Sequence, residues 1–481
     1  MLTHLDPASS LAVGLLIFSF VLVIVFEASN GFHDTANAVA TVIYTKSLPP
    51  VPAVIWSGIM NFVGVLVGGI AVAYALVELL PPEVLSPPSG APAVAMLVAL
   101  FIAALTWNVG TWWFGLPNSS SHCLIGSLIG IAVCNALIHE RNVGDGVHWA
   151  QVWTVLEGLA ISPVIGFILA GALYFAMSKT VTDRHLYEPV EEGNAPVWWV
   201  RGLLILTCAG VSFSHGSNDG QKNIGLIMLT IIGLLPAVFG LNPTATDAIA
   251  NLPQTAQEIQ PLIEKYGDDE KNLAIAAAQK LEAGSVSIPK QPVAIHLISI
   301  NGEPPTSLGL NSEAAKRVAS MRDDIYTLIS QLKYIEESGA PTKQEKAEAK
   351  RYASELGTTV EYAPWWVRIL SAVALGVGTM FGYRRIVTTL GERLGKIHMT
   401  PAQGGSAEVV SALVIGTAGF TGIPVSTTHI VTSGIAGTMV VAGAGLHLSM
   451  LYRIATAWLL TLPITILVAG GLYYLLAGPG L

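Results

Sequence analysis

Long apolar runs separated by short polar connections dominate the chain. A membrane-crossing helix needs about 20 mostly apolar residues. Ten blocks qualify, at about 11–45, 51–80, 93–115, 117–138, 149–177, 197–240, 364–390, 401–420, 424–446 and 449–477. Their continuous apolarity predicts helices, because strands of a membrane barrel alternate in hydrophobicity. Two blocks, 11–45 and 197–240, are too long for one crossing, each making about 50 Å or more of helix. Each carries a polar, glycine-containing patch at its middle, which predicts a broken or doubled-back helix. Irregular backbone at membrane depth is tolerated only where protein or a wet cavity satisfies it. Between 241 and 363 the pattern changes: "YGDDEKNLAIAAAQKLEAG" and "TKQEKAEAKRYASELG" are charged and helix-prone. This stretch predicts an extramembrane insertion, a small helical subdomain with flexible parts.

The blocks repeat. "GFHDTANAVA" (31–40) aligns with "GSNDGQKNIG" (216–225), so that Gly31 meets Gly216, His33 meets Asn218, Asp34 meets Asp219 and Asn37 meets Lys222. "GLPNSSSHCLIGSLIG" (115–130) aligns with "GIPVSTTHIVTSGIAG" (422–437), matching Gly115, Pro117, Ser119, His122 and Gly130 to Gly422, Pro424, Ser426, His429 and Gly437. The motif pairs keep their order, which divides the chain into a first repeat (1–196), the start of a second (197–240), the insertion (241–363) and the rest of the second repeat (364–481). Each repeat holds five apolar blocks. Five is odd, so tandem copies have opposite orientation, with a site expected near the midplane. The predicted fold is an all-α polytopic membrane protein, an inverted-repeat secondary transporter with broken or re-entrant helices and about 10–12 transmembrane segments.

Composition agrees. Of 481 residues, 52% are apolar and 12% charged, with mean hydropathy +0.59; soluble domains carry about 25% charged residues. The net charge of −8 says little, since much of it lies in the insertion. No basic patch supports nucleic-acid binding. Cys123, Cys134 and Cys208 lie in apolar segments without metal-type spacing and read as packed thiols. The first apolar run has no basic n-region and no small-residue cleavage site, so it reads as a retained helix. The distribution of basic residues, mainly Arg141 on one side against Lys46, Lys179, Arg184, Arg384, Arg385, Arg393, Lys396 and Arg453 on the other, places both termini and the insertion outside.

The polar motifs sit where polar groups are costly. "LPNSSSH" and "IPVSTTH" each place proline at a helix start, followed by three hydroxyls. Free N–H groups, Ser119, Ser120 and Ser121 in one copy, and Ser426, Thr427 and Thr428 in the other, form two cups suited to a tetrahedral oxyanion. One such tract alone reads better as an ordinary cap; two in matching positions favour a site. Asp34 and Asp219 cannot bind an anion directly, but they suit a coupling cation or proton, with Asn37 and carbonyls released at a helix break completing an oxygen cage. Helix capping is the plainer role for both. Lys222, at the position of Asn37, either stands in for a coupling cation or pairs with Asp219; a snorkelling lysine is an equal alternative. His33, His122, His215 and His429 are candidate proton carriers, with His122 and His429 better read as helix-packing hydrogen-bonders. Glu408 and Asn61 are further candidates for cation binding. Nothing supplies a firm metal site, and no resident cofactor is expected. Asn118 heads a glycosylation sequon inside a membrane motif, which argues against its use.

At these residues the sequence resembles the inorganic phosphate transporter (PiT) family, and within it the bacterial low-affinity Pit symporters. The likeness runs through "GFHDTANAVATVIYTKS", "WNVGTWWFGLPNSSSH", "SFSHGSNDGQKNIGLIML", "GTMFGYRRIVTTLGE" and "TGIPVSTTHIVTSGIAGTMVV", covering nearly everything outside 241–363. The resemblance implies import of inorganic phosphate across the bacterial inner membrane, coupled to protons in this branch or to sodium in others. It further implies uptake as metal–phosphate complexes, with a divalent metal carried alongside, and a homodimer in the lipid bilayer. The family's signature aspartates map onto Asp34 and Asp219, and its P-x-S-x-T-H-like elements onto Pro117–His122 and Pro424–His429. Departures from the common G-A-N-D-V-A-N form, at His33 and at Gly220-Gln221-Lys222, leave the sodium ligands of other branches incomplete and favour protons. The alternatives are a sulfate or divalent-metal permease of the same family, a channel, and a membrane phosphohydrolase using "HD" as a metal pair. The enzyme reading lacks a base and metal set gathered in one place.

Overall fold

The computed structural model describes residues 10–77, 90–140, 142–143, 149–190, 195–234, 239–268, 270–283 and 313–478. The expected outer marker Arg141 and the central part of the insertion, 284–312, lie outside the described residues. Among those described there is no β-strand, only an isolated bridge between Gly395 and Leu446.

Every apolar block is helical. In chain order they give α1 (Ser10–Tyr44), α2 (Pro50–Val67), α3 (Ala71–Val77), α4 (Gly90–Trp113), α5 (Ser120–Ile138), α6 (Trp149–Thr180) and α7 (Trp198–Leu234). The insertion supplies α8 (Thr246–Ala250), α9 (Leu252–Tyr266), α10 (Lys271–Ala283), α11 (Glu313–Glu337) and α12 (Lys343–Val360). The chain then forms α13 (Trp365–Thr379), α14 (Arg384–Thr388), α15 (Pro401–Thr421), α16 (Thr427–Val441) and α17 (Leu448–Ala477). Among the described residues, six helices are long and apolar enough to cross a membrane: α1, α2, α4, α5, α6 and α17. A seventh span arises if α13 and the bent segment Arg384–Arg393, at 54° to it, count as one. The remaining blocks fall outside this set for visible reasons. α16 has only 15 residues, α7 carries the polar stretch 216–225, and α15 is diluted by Gln403, Glu408 and several glycines and serines.

The break expected inside 11–45 and 197–240 is not there. α1 and α7 are unbroken helices of 35 and 37 residues. Their glycines serve close packing instead. A Cβ on Gly31 would lie 2.4 Å from the Leu375 carbonyl oxygen, and one on Gly216 would lie 2.2 Å from that of Asn61. Asp34, Asn37, Asp219 and Lys222 of the polar patches are bonded sideways, by neighbouring elements, and the backbone stays closed. The interruptions fall elsewhere, between α2 and α3, between α13 and α14, and at the turns before α5 and α16. In both of these last turns a glycine in left-handed conformation ends the preceding segment, Gly115 at φ 67° and Gly422 at φ 77°, a geometry glycine adopts without steric cost. Proline and a capping serine then start the next helix: Ser119 Oγ accepts from His122 N, and Ser426 Oγ from His429 N.

The two repeats interlock reciprocally. α1 packs on α13 through Gly31, and α7 on α2 through Gly216. α5 packs on α17, where a Cβ on Gly130 would meet the Ile466 carbonyl oxygen at 2.2 Å. α16 packs on α6 in the same manner, Gly437 against the carbonyl of Phe167 at 2.2 Å. α1 and α7 run antiparallel past one another. Asn223 lies beside Glu27 at one end, Asp34 meets His215 in the middle, and at the other end Thr41 and Thr207 both reach Glu408.

The insertion forms its own helical unit. Leu252, Ala256, Ile259 and Ile263 of α9 share a core with Leu281 of α10, Ile325, Ile329 and Leu332 of α11 and Leu356 of α12. Arg322 is buried there because its guanidinium donates to the carbonyls of Gly240 and Val360 and to the Tyr326 hydroxyl. Thr342 and Glu345 close a capping box at the start of α12, and Glu345 also takes Lys265 at 2.9 Å.

Candidate functional site

Four elements that lie far apart in sequence converge in the membrane unit: the polar middles of α1 and α7, and the capped starts of α5 and α16. Asp34 and Asp219 are both buried, 2% and 0% exposed. Between them stands His215, one turn before Asp219 on the same face of α7. Its Nε2 is 3.4 Å from Asp34 Oδ2 and 3.2 Å from Asp219 Oδ2, while Nδ1 lies 2.7 Å from Asn61 Oδ1 on α2. With Nδ1 held by Asn61, Nε2 is the nitrogen free to gain and lose a proton between two carboxylates. The ligand atoms of Asp34, His215 and Asp219 all lie within 4.8 Å of one another.

The hydroxyl cups meet these carboxylates both within a repeat, Ser120 on Asp34 and Thr427 on Asp219, and between repeats, Thr428 on Asp34. Thr428 Oγ1 donates to Asp34 Oδ1, and Ser120 Oγ to Asp34 Oδ2 at 3.4 Å. Thr427 Oγ1 donates to Asp219 Oδ2, also at 3.4 Å. Asn37 Nδ2 bridges Asp34 Oδ1 at 3.2 Å and Thr428 Oγ1 at 3.0 Å. In the other half Lys222 takes the corresponding place. Its ammonium donates to Asp219 Oδ1 at 2.5 Å, Ser121 Oγ at 2.7 Å and the Val425 carbonyl at 2.9 Å. The carbonyl in this cage therefore comes from the turn before α16 and not from a break in α1 or α7. Ser121 Oγ also donates to Val425 O at 3.2 Å.

Other predicted residues sit around this centre. Ser119 and Ser426 turn their hydroxyls to cap their own helices. The His122 and His429 rings contact each other, centroids 4.6 Å apart, and His429 stacks on Trp458 at 3.8 Å. They join the two helix starts by ring packing, where hydrogen bonding was expected. His33 faces Thr111 Oγ1 at 3.3 Å. Asn218 is buried with both amide atoms unpartnered. Glu408 does not join the cluster: its carboxyl takes Thr207 Oγ1 at 2.5 Å and lies near Thr41, two turns along α1 from Asp34. Asn118 is buried against Thr461 and Cys123, so its sequon is inaccessible. The three cysteines are free and buried.

Sequence reasoning grouped His215 with three other histidines and missed its central place. The signal was available, since His215 and Asp219 are spaced i,i+4 on one helix face. The Val425 carbonyl carried no signal, because a backbone oxygen looks the same in every residue.

Buried acids, an ammonium and hydroxyl-bearing helix starts gathered inside a bundle of apolar helices define a multi-pass membrane protein with an internal polar site. The profile of the phosphate transporter family matches residues 30–469, and the chain belongs to that family. It is 40% identical over 502 aligned positions to the low-affinity inorganic phosphate transporter PitA of Escherichia coli strain K12, covering 98% of this chain and 99% of that one. It is 38% identical to PitB of the same organism, covering 96% of each. A probable low-affinity inorganic phosphate transporter of Bacillus subtilis strain 168 is 26% identical over 96% of this chain and 98% of its own. Among solved structures, the sodium-dependent phosphate transporter shares the fold at TM-score 0.53 and 18% identity, covering 96% of this chain and 99% of that one. The chain is a phosphate transporter of PitA/PitB type and not an enzyme, which sets aside the phosphohydrolase alternative.

Proposed function

We propose that this protein imports inorganic phosphate across the bacterial inner membrane by symport with protons, through two repeats of opposite orientation that share one site. The antiparallel course of α1 and α7 and the contacts between repeats, His215 with Asp34, Thr428 with Asp34 and Lys222 with Ser121, support the inverted arrangement. The observation that carries the coupling is that the hydroxyls suited to phosphate are already engaged by the two aspartates. Ser120 and Thr428 donate to Asp34, and Thr427 donates to Asp219. A phosphate anion is repelled by these carboxylates and finds their hydroxyls occupied. A proton delivered to Asp34, through His215 Nε2 beside it, removes the charge and frees the hydroxyls. They turn to phosphate together with the N–H groups of the helix starts. A hydrogen phosphate O–H meets an acceptor in the remaining carboxylate, and sulfate has no such proton to offer.

Lys222 is the reason for reading protons in place of sodium. Its ammonium fills an oxygen cage of carboxylate, hydroxyl and carbonyl, a donor set that suits a small monovalent cation. In this reading a covalently tethered charge replaces one transported cation. If phosphate arrives as a neutral metal complex, the grouped Asp34, His215 and Asp219 offer that cargo's metal its oxygens and nitrogen.

Proteoliposomes test this. An inside-alkaline pH gradient without sodium should drive concentrative uptake of radiolabelled phosphate, and Asp34→Asn should abolish accumulation while the protein still inserts. Accumulation that requires a sodium gradient would refute proton coupling, and normal accumulation by Asp34→Asn would refute the role of that carboxyl.

A further inference from the structure

Two buried acids of the membrane unit, Glu408 and Glu27, have no part in the mechanism above. Glu27 lies on α1, seven residues and about 10 Å of helix rise before Asp34. Positions 27, 30 and 34 fall on one face of that helix. Glu27 is wholly buried at 0% exposure. One carboxyl oxygen, Oε1, takes the Ser371 hydroxyl from α13, while Oε2 has no partner. Asn223 of α7, 1% exposed, lies close enough to act on the Glu27 carboxyl as a neutral donor, though neither amide atom reaches full hydrogen-bond geometry. Between Glu27 and Asp34, Asn30 is 1% exposed and its Oδ1 is also unpartnered.

An acid at membrane depth costs several kcal/mol unless it is paired or has a function. Among the described residues, Glu27 is not paired with a charge, and the polar groups acting on it from α13 and α7 are the neutral Ser371 and Asn223. Packing does not explain it either, since a leucine fills similar volume without orphaned oxygens. A run of buried acceptors and donors without protein partners is where bridging water is held, each water needing two to four polar partners. Glu27 Oε2 and Asn30 Oδ1 on one face of α1, with Asn223 of α7 beside Glu27, supply such partners.

We infer that Glu27 is a buried proton-relay group of this transporter, passing protons past Asn30 to His215 Nε2 and Asp34. The inference rests on the proton-symport reading above and specifies its route. In each cycle the Glu27 carboxylate takes one proton from a hydronium ion, forming its O–H and leaving water. It then releases that proton past Asn30 to His215 Nε2 and the Asp34 carboxylate and returns to its starting form. No oxidant or further reactant is needed. Glu27 does not touch phosphate, so its removal should leave substrate handling intact.

Two assays on the same reconstituted full chain separate these roles. One is concentrative phosphate uptake driven by a pH gradient. The other is exchange of labelled for unlabelled phosphate at equal concentrations on both sides, which needs no net proton movement. Glu27→Gln should lower gradient-driven uptake by about 100-fold, the low end of what a missing proton-transfer group costs, and keep exchange near wild type. Glu27→Asp, which keeps a carboxyl, should recover a large part of the loss. Ser371→Ala, a smaller change at the same group, should shift the pH profile of uptake.

Wild-type accumulation by Glu27→Gln would overturn the inference, and so would equal loss of exchange and accumulation, which marks a packing role. An unchanged pH profile in Ser371→Ala also counts against it. If the wild type itself fails to accumulate phosphate in a pH gradient, proton symport fails as a whole. If only the Glu27 variants behave as wild type, symport stands and this route alone is wrong.

Discussion

Lys222→Asn is the sharpest perturbation, because it copies into the second half the residue the first half uses. Asparagine at position 37 makes two bonds, to Asp34 Oδ1 at 3.2 Å and Thr428 Oγ1 at 3.0 Å. The lysine makes three, and it supplies a full positive charge 2.5 Å from Asp219. An asparagine side chain is too short to keep the Val425 carbonyl while also serving Asp219 and Ser121. The exchange therefore leaves a buried carboxylate facing only His215 and neutral donors. Breaking a buried ion pair from one side costs about 3–5 kcal/mol. In potassium- and sodium-free buffer the variant should unfold in detergent at a clearly lower temperature than wild type. The emptied cage keeps the oxygens of Asp219, Ser121 and Val425. A small monovalent cation that enters it stabilises the folded form by mass action, about 1.4 kcal/mol when present at ten times its dissociation constant. Sodium should therefore raise the melting temperature of Lys222→Asn and leave the wild type unmoved, and phosphate uptake by the variant should become sodium-dependent. Equal melting of variant and wild type in sodium-free buffer would refute the view of Lys222 as the buried counter-charge. A variant that melts early yet ignores sodium in both assays would refute the view of its cage as a cation site.

Further outcomes follow from the same geometry. Ser120→Ala combined with Thr427→Ala removes two hydroxyls that meet the aspartates; a hydrogen bond to a charged group contributes about 1.5–3 kcal/mol, so apparent phosphate affinity should fall tenfold or more, read from the concentration dependence of uptake. Gly216→Ala places a Cβ 2.2 Å from the Asn61 carbonyl oxygen and must push α7 from α2, costing about 1–3 kcal/mol and displacing His215 from Asn61; a melting curve and an uptake rate that both match wild type would show that the seam yields freely. In the insertion, the Thr342 hydroxyl and then Lys265 hold the Glu345 carboxyl down to about 2, below its ordinary value of 4.5. A lowered value means that its contribution is fully present above pH 4.5 and is lost as the pH falls towards 2. Amide hydrogen exchange at the start of α12 in the full chain should therefore accelerate across that interval, and Glu345→Gln should remove the pH dependence.

Much of the membrane architecture could be read from the chain, because its evidence is one-dimensional. Apolar runs, Gly-Pro-Ser turns and a motif written twice survive without coordinates. Gly115 and Gly422, aligned in sequence, adopt the same left-handed turn. The error over α1 and α7 has a definite cause. A glycine beside an aspartate suggests a broken helix when read alone, but Gly31 and Gly216 are used to bring another helix within reach. Only the partner carbonyls of Leu375 and Asn61 reveal that use. The candidate site was legible as a list of residues and less so as a set of partners. Which hydroxyl meets which aspartate depends on how two halves cross, and neither half encodes this by itself. Glu27 was passed over because it ends a long apolar run and belongs to no repeated motif. A lone acid at that depth deserved more weight than its isolation suggested.

In the proposed inverted arrangement both halves present an aspartate and a hydroxyl-bearing helix start, and they differ in charge-bearing groups: an amide stands at position 37 where an ammonium stands at 222, and Asn30 is the counterpart of His215. A carrier with fully matched halves would rest equally well open to either compartment. On the inverted-repeat reading, the unmatched ammonium of Lys222 should favour one resting posture over its mirror image. Exchanging the two side chains, Asn37→Lys with Lys222→Asn, moves that bias to the opposite end of the cycle without altering the total charge of the pocket.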